Sequence, residues 1–469
     1  ELGCSSKNDV ERKQRGKKVN TIRLKGMLLA AGSLLLSLNS FAQDDTTGVL
    51  RVSVPVAERQ LEATVGARAM FDAAYYYNPG YTALKPGFRI ADARIRASLS
   101  YNGWRLYADF DFSKGHFSQK DLFLQYTLPA RIANHTFKVG YYANPASMAA
   151  NTSAGSYHFL SRPAPVLALG PKRELGASYC AYNDYFFANQ GIFATNFYDS
   201  KMEGFQNLAL GGRWLFRLNL AGDSWLHAGA MFRYENFLGG EVANGQLKPS
   251  LALAGSLESY VDKGSQFVSA TLPWVKHTFD VGADFLYVRP NVFVRGEYLY
   301  KYVAKARDGK KLLESQLGGK YSWTTVESIE KGLPLRANAF HGGYLELGYK
   351  IFGSDYTYSK SAAALGGLRG AALELVARYS YLGLNDLVPG ETFLVGRGQY
   401  YPKTGIADYP AESTSVSGGN LHNATLGVNY SVNSYVQFMA SYTCSLLKND
   451  FFPQDRLIHR FQLRAPSQI

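Results

Sequence analysis

The sequence predicts an all-β protein, a transmembrane antiparallel β-barrel of about sixteen strands, and three observations carry that expectation. Apolar and polar residues alternate with period two in run after run, as strands with one apolar and one polar face do. Aromatic residues recur at run ends on the apolar face, among them Trp104, Phe112, Tyr126, Tyr141, Trp214, Phe232, Tyr302, Tyr381 and Tyr442; interfacial girdles have that placement. Tight turns alternate with longer polar connections at 238–263, 304–336 and 384–420, the asymmetry of an outer-membrane barrel. A soluble sandwich would share the alternation but not the regular aromatic ends.

Composition agrees. Tyr (33), Gly (46) and Phe (28) are abundant, and aromatics reach 14%, a bias toward pleated surfaces. A mean hydropathy of -0.18 excludes a bundle of transmembrane helices. It suits a barrel, which hides its apolar residues at alternate positions.

The N-terminal region reads as a leader over residues 1–42. Lys17, Lys18, Arg23 and Lys25 precede the apolar run Met27–Leu38, and a small-x-small site predicts cleavage after Ala42. The run is too short to span a bilayer as a helix. Residues 1–18 are polar and read as an extension ahead of a start near Val19 or Met27. Leu2-Gly3-Cys4-Ser5 lacks the preceding apolar run of a lipoprotein box. Residues 43–64 are expected as a periplasmic tail and residues 65–469 as the barrel. Without residues 1–42, which hold eight Lys/Arg and three Asp/Glu, the net charge falls from +13 to +8. An exported chain rarely meets nucleic acid, so the excess reads as a field for small anions. Cys180 and Cys444 lie in separate runs and define neither a disulfide framework nor a zinc site.

In chain order, Gly66–Tyr77 is the first run. Phe88–Tyr101 puts Ala91, Ala93, Ile95, Ala97 and Leu99 opposite Asp92, Arg94, Arg96 and Ser98. Asn102 and Gly103 alone join it to Trp104–Phe112, a two-residue hairpin turn. Gln119–Leu128 and Thr136–Ala143 continue the meander. Residues 144–171 interrupt it with four prolines and several large apolar residues, more than a disordered loop needs, so this segment is expected to fold onto something. Strands resume at Glu174–Tyr182, Tyr185–Thr195, Leu208–Leu220 and the run from Leu226 to Glu235. Phe279–Tyr287, Val292–Tyr302, Gly342–Phe352, Gly370–Asp386, Leu426–Val432, Tyr435–Thr443 and Leu457–Arg464 complete the set. Gln266–Leu272 has no aromatic girdle and is read as loop, leaving an even sixteen.

Gly370–Asp386 is the clearest strand. Leu373, Leu375, Ala377, Tyr379 and Tyr381 form its lipid face, while Glu374 and Arg378 turn inward as a wall pair.

Several stretches resemble the phosphate-selective porins, the porin O and porin P family. They are Phe88 to Leu99 with the strand ending Asp109-Phe110-Asp111, Asp121–Tyr126, and Lys138–Tyr142 leading to Phe159-Leu160-Ser161-Arg162. Gly342-Gly343-Tyr344, the Glu-Leu-x-x-Arg-Tyr-Ser-Tyr core at 374–381 and Asn423–Tyr430 are similar to it too. The resemblance implies a sixteen-stranded, homotrimeric outer-membrane channel lined with bases and narrowed by an inward-folded constriction loop. Its surroundings would be outer-membrane lipid. Two departures stand out: Ser161 where the family usually has Glu before the Arg, and a C-terminus, Arg464 to Ile469, that does not finish on Phe.

A pore selects by offering fixed charges and dipoles in place of lost hydration. The inward register places Arg94, Arg96, Arg105, Lys138, Arg213, Arg217, Arg233, Arg295, Arg378 and Arg460 in the lumen, and Arg162, Lys172 and Arg173 flank the constriction loop. Arginine suits bidentate oxyanion contact. Inward acids (Asp92, Asp109, Asp111, Asp121, Glu297, Glu374) are expected to pair with these bases as wall scaffolding. The expected function is a water-filled, anion-preferring channel for small solutes such as phosphate or polyphosphate, with no cofactor. Two rivals are a binding or adhesin barrel using its long loops, and a barrel hydrolase. The eight His are scattered singly, and no G-x-S-x-G, H-E-x-x-H or P-loop motif occurs.

Overall fold

The computed structural model describes residues 50–56, 59–77, 84–195, 207–237, 251–261, 267–272, 275–305, 336–368, 370–387, 393–395, 415–448 and 456–468. The leader, residues 1–42, lies outside them. Sixteen antiparallel strands close into a barrel. They are β1 (Arg59–Tyr77), β2 (Gly87–Tyr101), β3 (Trp104–Asp111), β4 (Ser118–Pro129), β5 (Asn134–Ala143), β6 (Arg173–Tyr182), β7 (Phe186–Ala194) and β8 (Leu208–Ala221). β9 (Ser224–Asn236), β10 (Val275–Arg289), β11 (Val292–Lys305), β12 (Asn338–Gly353), β13 (Ala372–Asp386), β14 (Ser415–Ser431), β15 (Gln437–Lys448) and β16 (Arg456–Gln468) follow. Each expected strand is present, and closure comes from β1 pairing β16, from Arg68 opposite Gln468 to Tyr77 opposite His459.

The faces follow the alternation. Leu375 is 44% exposed on the outside while Glu374 is fully buried inside. Trp104, Trp214, Tyr302 and Tyr379 also lie outward. The β2–β3 turn has φ 47 at Asn102 and φ 83 at Gly103, the left-handed pair that a tight hairpin demands. A Cβ on Gly103 would also meet the Thr127 carbonyl at 2.7 Å.

Four local expectations change. Residues 43–64 are not simply a tail: Leu50–Val56 pairs antiparallel with Arg59–Val65, taking the edge of β1 that β16 leaves vacant below Arg68. Ala91 sits in a bulge between the Met70–Asp92 and Phe71–Ile90 pairs, and so faces the interior rather than joining Ala93 outside. β16 continues through Pro466, opposite Met70 on β1, where β15 has already ended its pairing at Arg464, so the proline stands where the strand has one neighbour, as an edge position allows. The fourth change concerns 268–272. These residues form no barrel strand, but they do pair, as a hairpin with Leu251–Gly255.

The lumen is unevenly filled. The β5–β6 connection carries α1 (Met148–Asn151) and α2 (Ala164–Leu169). Ser147 caps α1, its side chain accepting from the Ala150 N–H at 3.1 Å. The hairpin of Leu251–Gly255 and Val268–Leu272 packs with α2, its Leu253, Val268 and Leu272 joining Val166, Leu169, Leu382 and Leu384 in one buried cluster. The β12–β13 connection turns in from the opposite end. Its Tyr356 and Leu365 cover Trp225, Leu286, Val288 and Phe293. Those inward apolar side chains would be misplaced in a watery lumen, so a plug is what makes them stable.

The pore cavities and their constriction

Three buried carboxylates anchor the constriction segment. Glu297 accepts from Ser147 Oγ at 2.8 Å, from the Ala149 N–H and from Tyr344 Oη. Glu258, on the hairpin connection, accepts from the Ala164 N–H at 2.7 Å. Glu374 meets His158 Nδ1 at 3.0 Å and accepts from Tyr356 Oη and Asn429 Nδ2, each at 2.6 Å. Glu297 and Glu374, expected to pair with arginine, thus hold the loop instead. A carboxylate at the start of a short helix suits its unpaired N–H groups.

Beside this segment lie two adjoining cavities. The outer one, about 590 Å³, is lined by Lys120, Arg162, Lys172 and Arg173 and, among the described residues, by no acidic side chain. The inner one, about 690 Å³, is bounded by the β2–β5 wall and carries both signs of charge. Lys120, Arg162 and Arg173 border both cavities and so stand where they meet. Arg173 binds Asp121 through two nitrogens at 3.0 and 3.1 Å. Lys120 pairs with Asp111 at 3.1 Å. Arg162 donates to the Ala150 carbonyl at 2.6 Å and lies 5.9 Å from the Tyr157 ring. Burial pushes the Tyr260 phenol, which borders the inner cavity, above the ordinary tyrosine range.

The other expected bases divide in two. Arg94 lines the inner cavity, bridging Asp92 at 2.6 Å and Asp109 at 2.9 Å. Lys138 lines it too, its ammonium 4.5 Å from the Phe123 ring. Arg96 is half-buried on the same wall, opposite Asp109. Arg105, exposed near the turn end, lies 5.0 Å from the Tyr107 ring. Arg213, Arg217 and Arg378 line neither cavity. Arg213 is bound to Asp284 at 2.8 Å and to the Ala363 carbonyl at 3.0 Å. Arg217 donates to the carbonyls of Asn183 and Lys360. Arg378 donates to the Ser161 carbonyl at 2.8 Å and pairs with Glu258 and Glu346. The inward register is right for all three, but the hairpin and the β12–β13 connection occupy the space they face.

Sequence reasoning missed Lys120. A bulge sets Asp109 against Asp121 but Phe110 against Gln119, which sends the neighbours Lys120 and Asp121 both to the lumen. Strict alternation would have separated them.

A closed sixteen-strand barrel with an apolar outer face, an inward-folded connection and charged interior cavities defines a porin of the bacterial outer membrane. The family model of the phosphate-selective porins O and P matches residues 64–445, and the chain belongs to that family. No curated protein matches the sequence. Among solved structures, it is similar to the outer-membrane-expressed OmpT of Vibrio cholerae, at 10% identity, 89% of this chain, all of that one and a TM-score of 0.49. It is also similar to an anion-selective porin from Comamonas acidovorans, at 10% identity, 87% of this chain, all of that one and a TM-score of 0.47. The outer-membrane channel DcaP of Acinetobacter baumannii is similar at 13% identity, with 87% of this chain and 97% of that one covered and a TM-score of 0.45.

Proposed function

We propose that this porin is a passive, anion-preferring channel with phosphate among its solutes, and that Arg162, Lys172 and Arg173, with Lys120, set its preference. The observation that carries the reading is the outer cavity, where, among the described residues, four bases and no carboxylate line about 590 Å³. A solute entering there exchanges water for fixed positive charge before it meets the mixed inner wall. Arg94, Arg96, Arg105 and Lys138 continue the basic lining inward, while Arg213, Arg217 and Arg378 act through the plug they hold. The family's phosphate selectivity supports phosphate as a solute, and a homotrimer in outer-membrane lipid is the assembly the family suggests. No hydrolytic role enters this reading. The test is conductance in planar bilayers under a salt gradient, with chloride and then phosphate as the anion. A reversal potential on the anion side, with chloride current reduced by millimolar phosphate, supports the proposal. A cation-side reversal potential overturns it.

A further inference from the structure

Among the described residues, eight Lys and Arg side chains border the inner cavity, enough to attract an anion, but its lining also carries groups that a bare inorganic anion leaves unsatisfied. Four carboxylates border it, and Asp109 Oδ1, buried, accepts no hydrogen bond although Oδ2 is bound by Arg94. An anion has only acceptors to offer such an atom; a hydroxyl group would satisfy it. On the same lining, Arg162 Nε is a buried donor without a partner. An anionic oxygen would satisfy that one. Between them the wall is aromatic. The Tyr107 and Phe123 rings stack with centroids 5.1 Å apart, and Tyr142 stands edge-on to Phe123 at 5.9 Å. At about 690 Å³ the cavity is in the range that holds organic ligands, far larger than a phosphate ion needs.

We infer that the inner cavity is a transit site for polyhydroxylated organic anions, of which a sugar phosphate is the simplest. The anionic group faces Arg162 and Lys138, a hydroxyl donates to Asp109, and the apolar face of the ring lies on Tyr107 and Phe123. This rests on the anion-channel reading above and adds the solute class.

The experiment is inhibition of chloride current through the bilayer-inserted porin by glucose 6-phosphate, inorganic phosphate and glucose, at one pH and ionic strength. Glucose 6-phosphate is expected to reach half-inhibition at about one-tenth the concentration of phosphate, the worth of one or two extra contacts. Glucose is expected to do little. Tyr107→Ala and Asp109→Ala should each erase that advantage, read as the ratio of the two half-inhibition concentrations; Tyr107→Ala leaves phosphate inhibition unchanged, while Asp109→Ala, which removes one carboxylate from Arg94, strengthens it. Equal inhibition by glucose 6-phosphate and phosphate, or by glucose and glucose 6-phosphate, overturns the inference, as does an advantage that survives both variants. In each of those cases an anion-side reversal potential leaves the channel reading standing. A cation-side one brings down both.

Discussion

Arg378 on β13 is ion-paired with Glu258, 120 residues earlier in the chain, on the connection that carries the lumenal hairpin. Glu258 also accepts from Ser380 Oγ and the Ala164 N–H, so one buried carboxylate ties wall, hairpin and constriction segment together. It does so at φ 57, a left-handed backbone that costs a non-glycine residue about 1–2 kcal/mol. The neighbouring Glu374, on the same face of the same strand, takes no part and binds His158 and Tyr356 instead.

Glu258→Ala should therefore release the hairpin from the wall. Arg378 keeps Glu346 at 3.3 Å, so the loss falls below the ~3–5 kcal/mol of a buried charge left with no partner. The expected outcome is a larger single-channel conductance and new protease cleavage within 251–272. Unchanged conductance and unchanged cleavage would show that apolar packing alone holds the hairpin.

Arg162→Ala should move the reversal potential toward cations. A unit charge about 6 Å from a permeating ion in water is worth about a threefold change in permeability ratio. Adding Arg173→Ala should shift it further, because Asp121 then loses its partner and contributes a negative charge. A reversal potential that does not move in either variant would place both residues outside the permeation path.

Leu375→Arg puts a charge on the lipid face near mid-strand, at a cost of about 2–4 kcal/mol. Heat-modifiable migration on gels should show impaired assembly. Wild-type migration would mean that Leu375 lies away from the bilayer core.

The β12–β13 plug should loosen in alkali. Burial, and then the Glu374 carboxylate, push the Tyr356 phenol well above the ordinary tyrosine range. The unfolded phenol ionises near pH ~10, so the contact is fully stabilising below that value and is lost as pH rises toward the folded-state pKa. The heat-modification temperature should fall above about pH 10 in the wild type. Tyr356→Phe should start lower and show a smaller fall. Parallel curves would mean another group governs alkaline lability.

The sequence by itself determined the barrel, its sixteen strands and, away from the bulges at Ala91 and Lys120, the side each residue faces. Period-two alternation is a local property, written into every strand as plainly as into Leu373–Tyr381. The Asn102-Gly103 turn and the outward Trp104 and Trp214 were legible for the same reason. Only the tertiary structure decided which inward bases meet solute. Arg94 and Arg378 look alike in sequence, each inward with one acid preceding it on the same face (Asp92, Glu374), yet one borders a cavity and the other lies 4% exposed beneath a hairpin. That difference depends on closure of the barrel around connections at 144–171, 251–272 and 354–371. Contacts such as Arg378 with Glu258 join distant segments, and no periodicity records them. The bulge at Lys120 escaped for a related reason: a single extra residue reverses a face without changing composition.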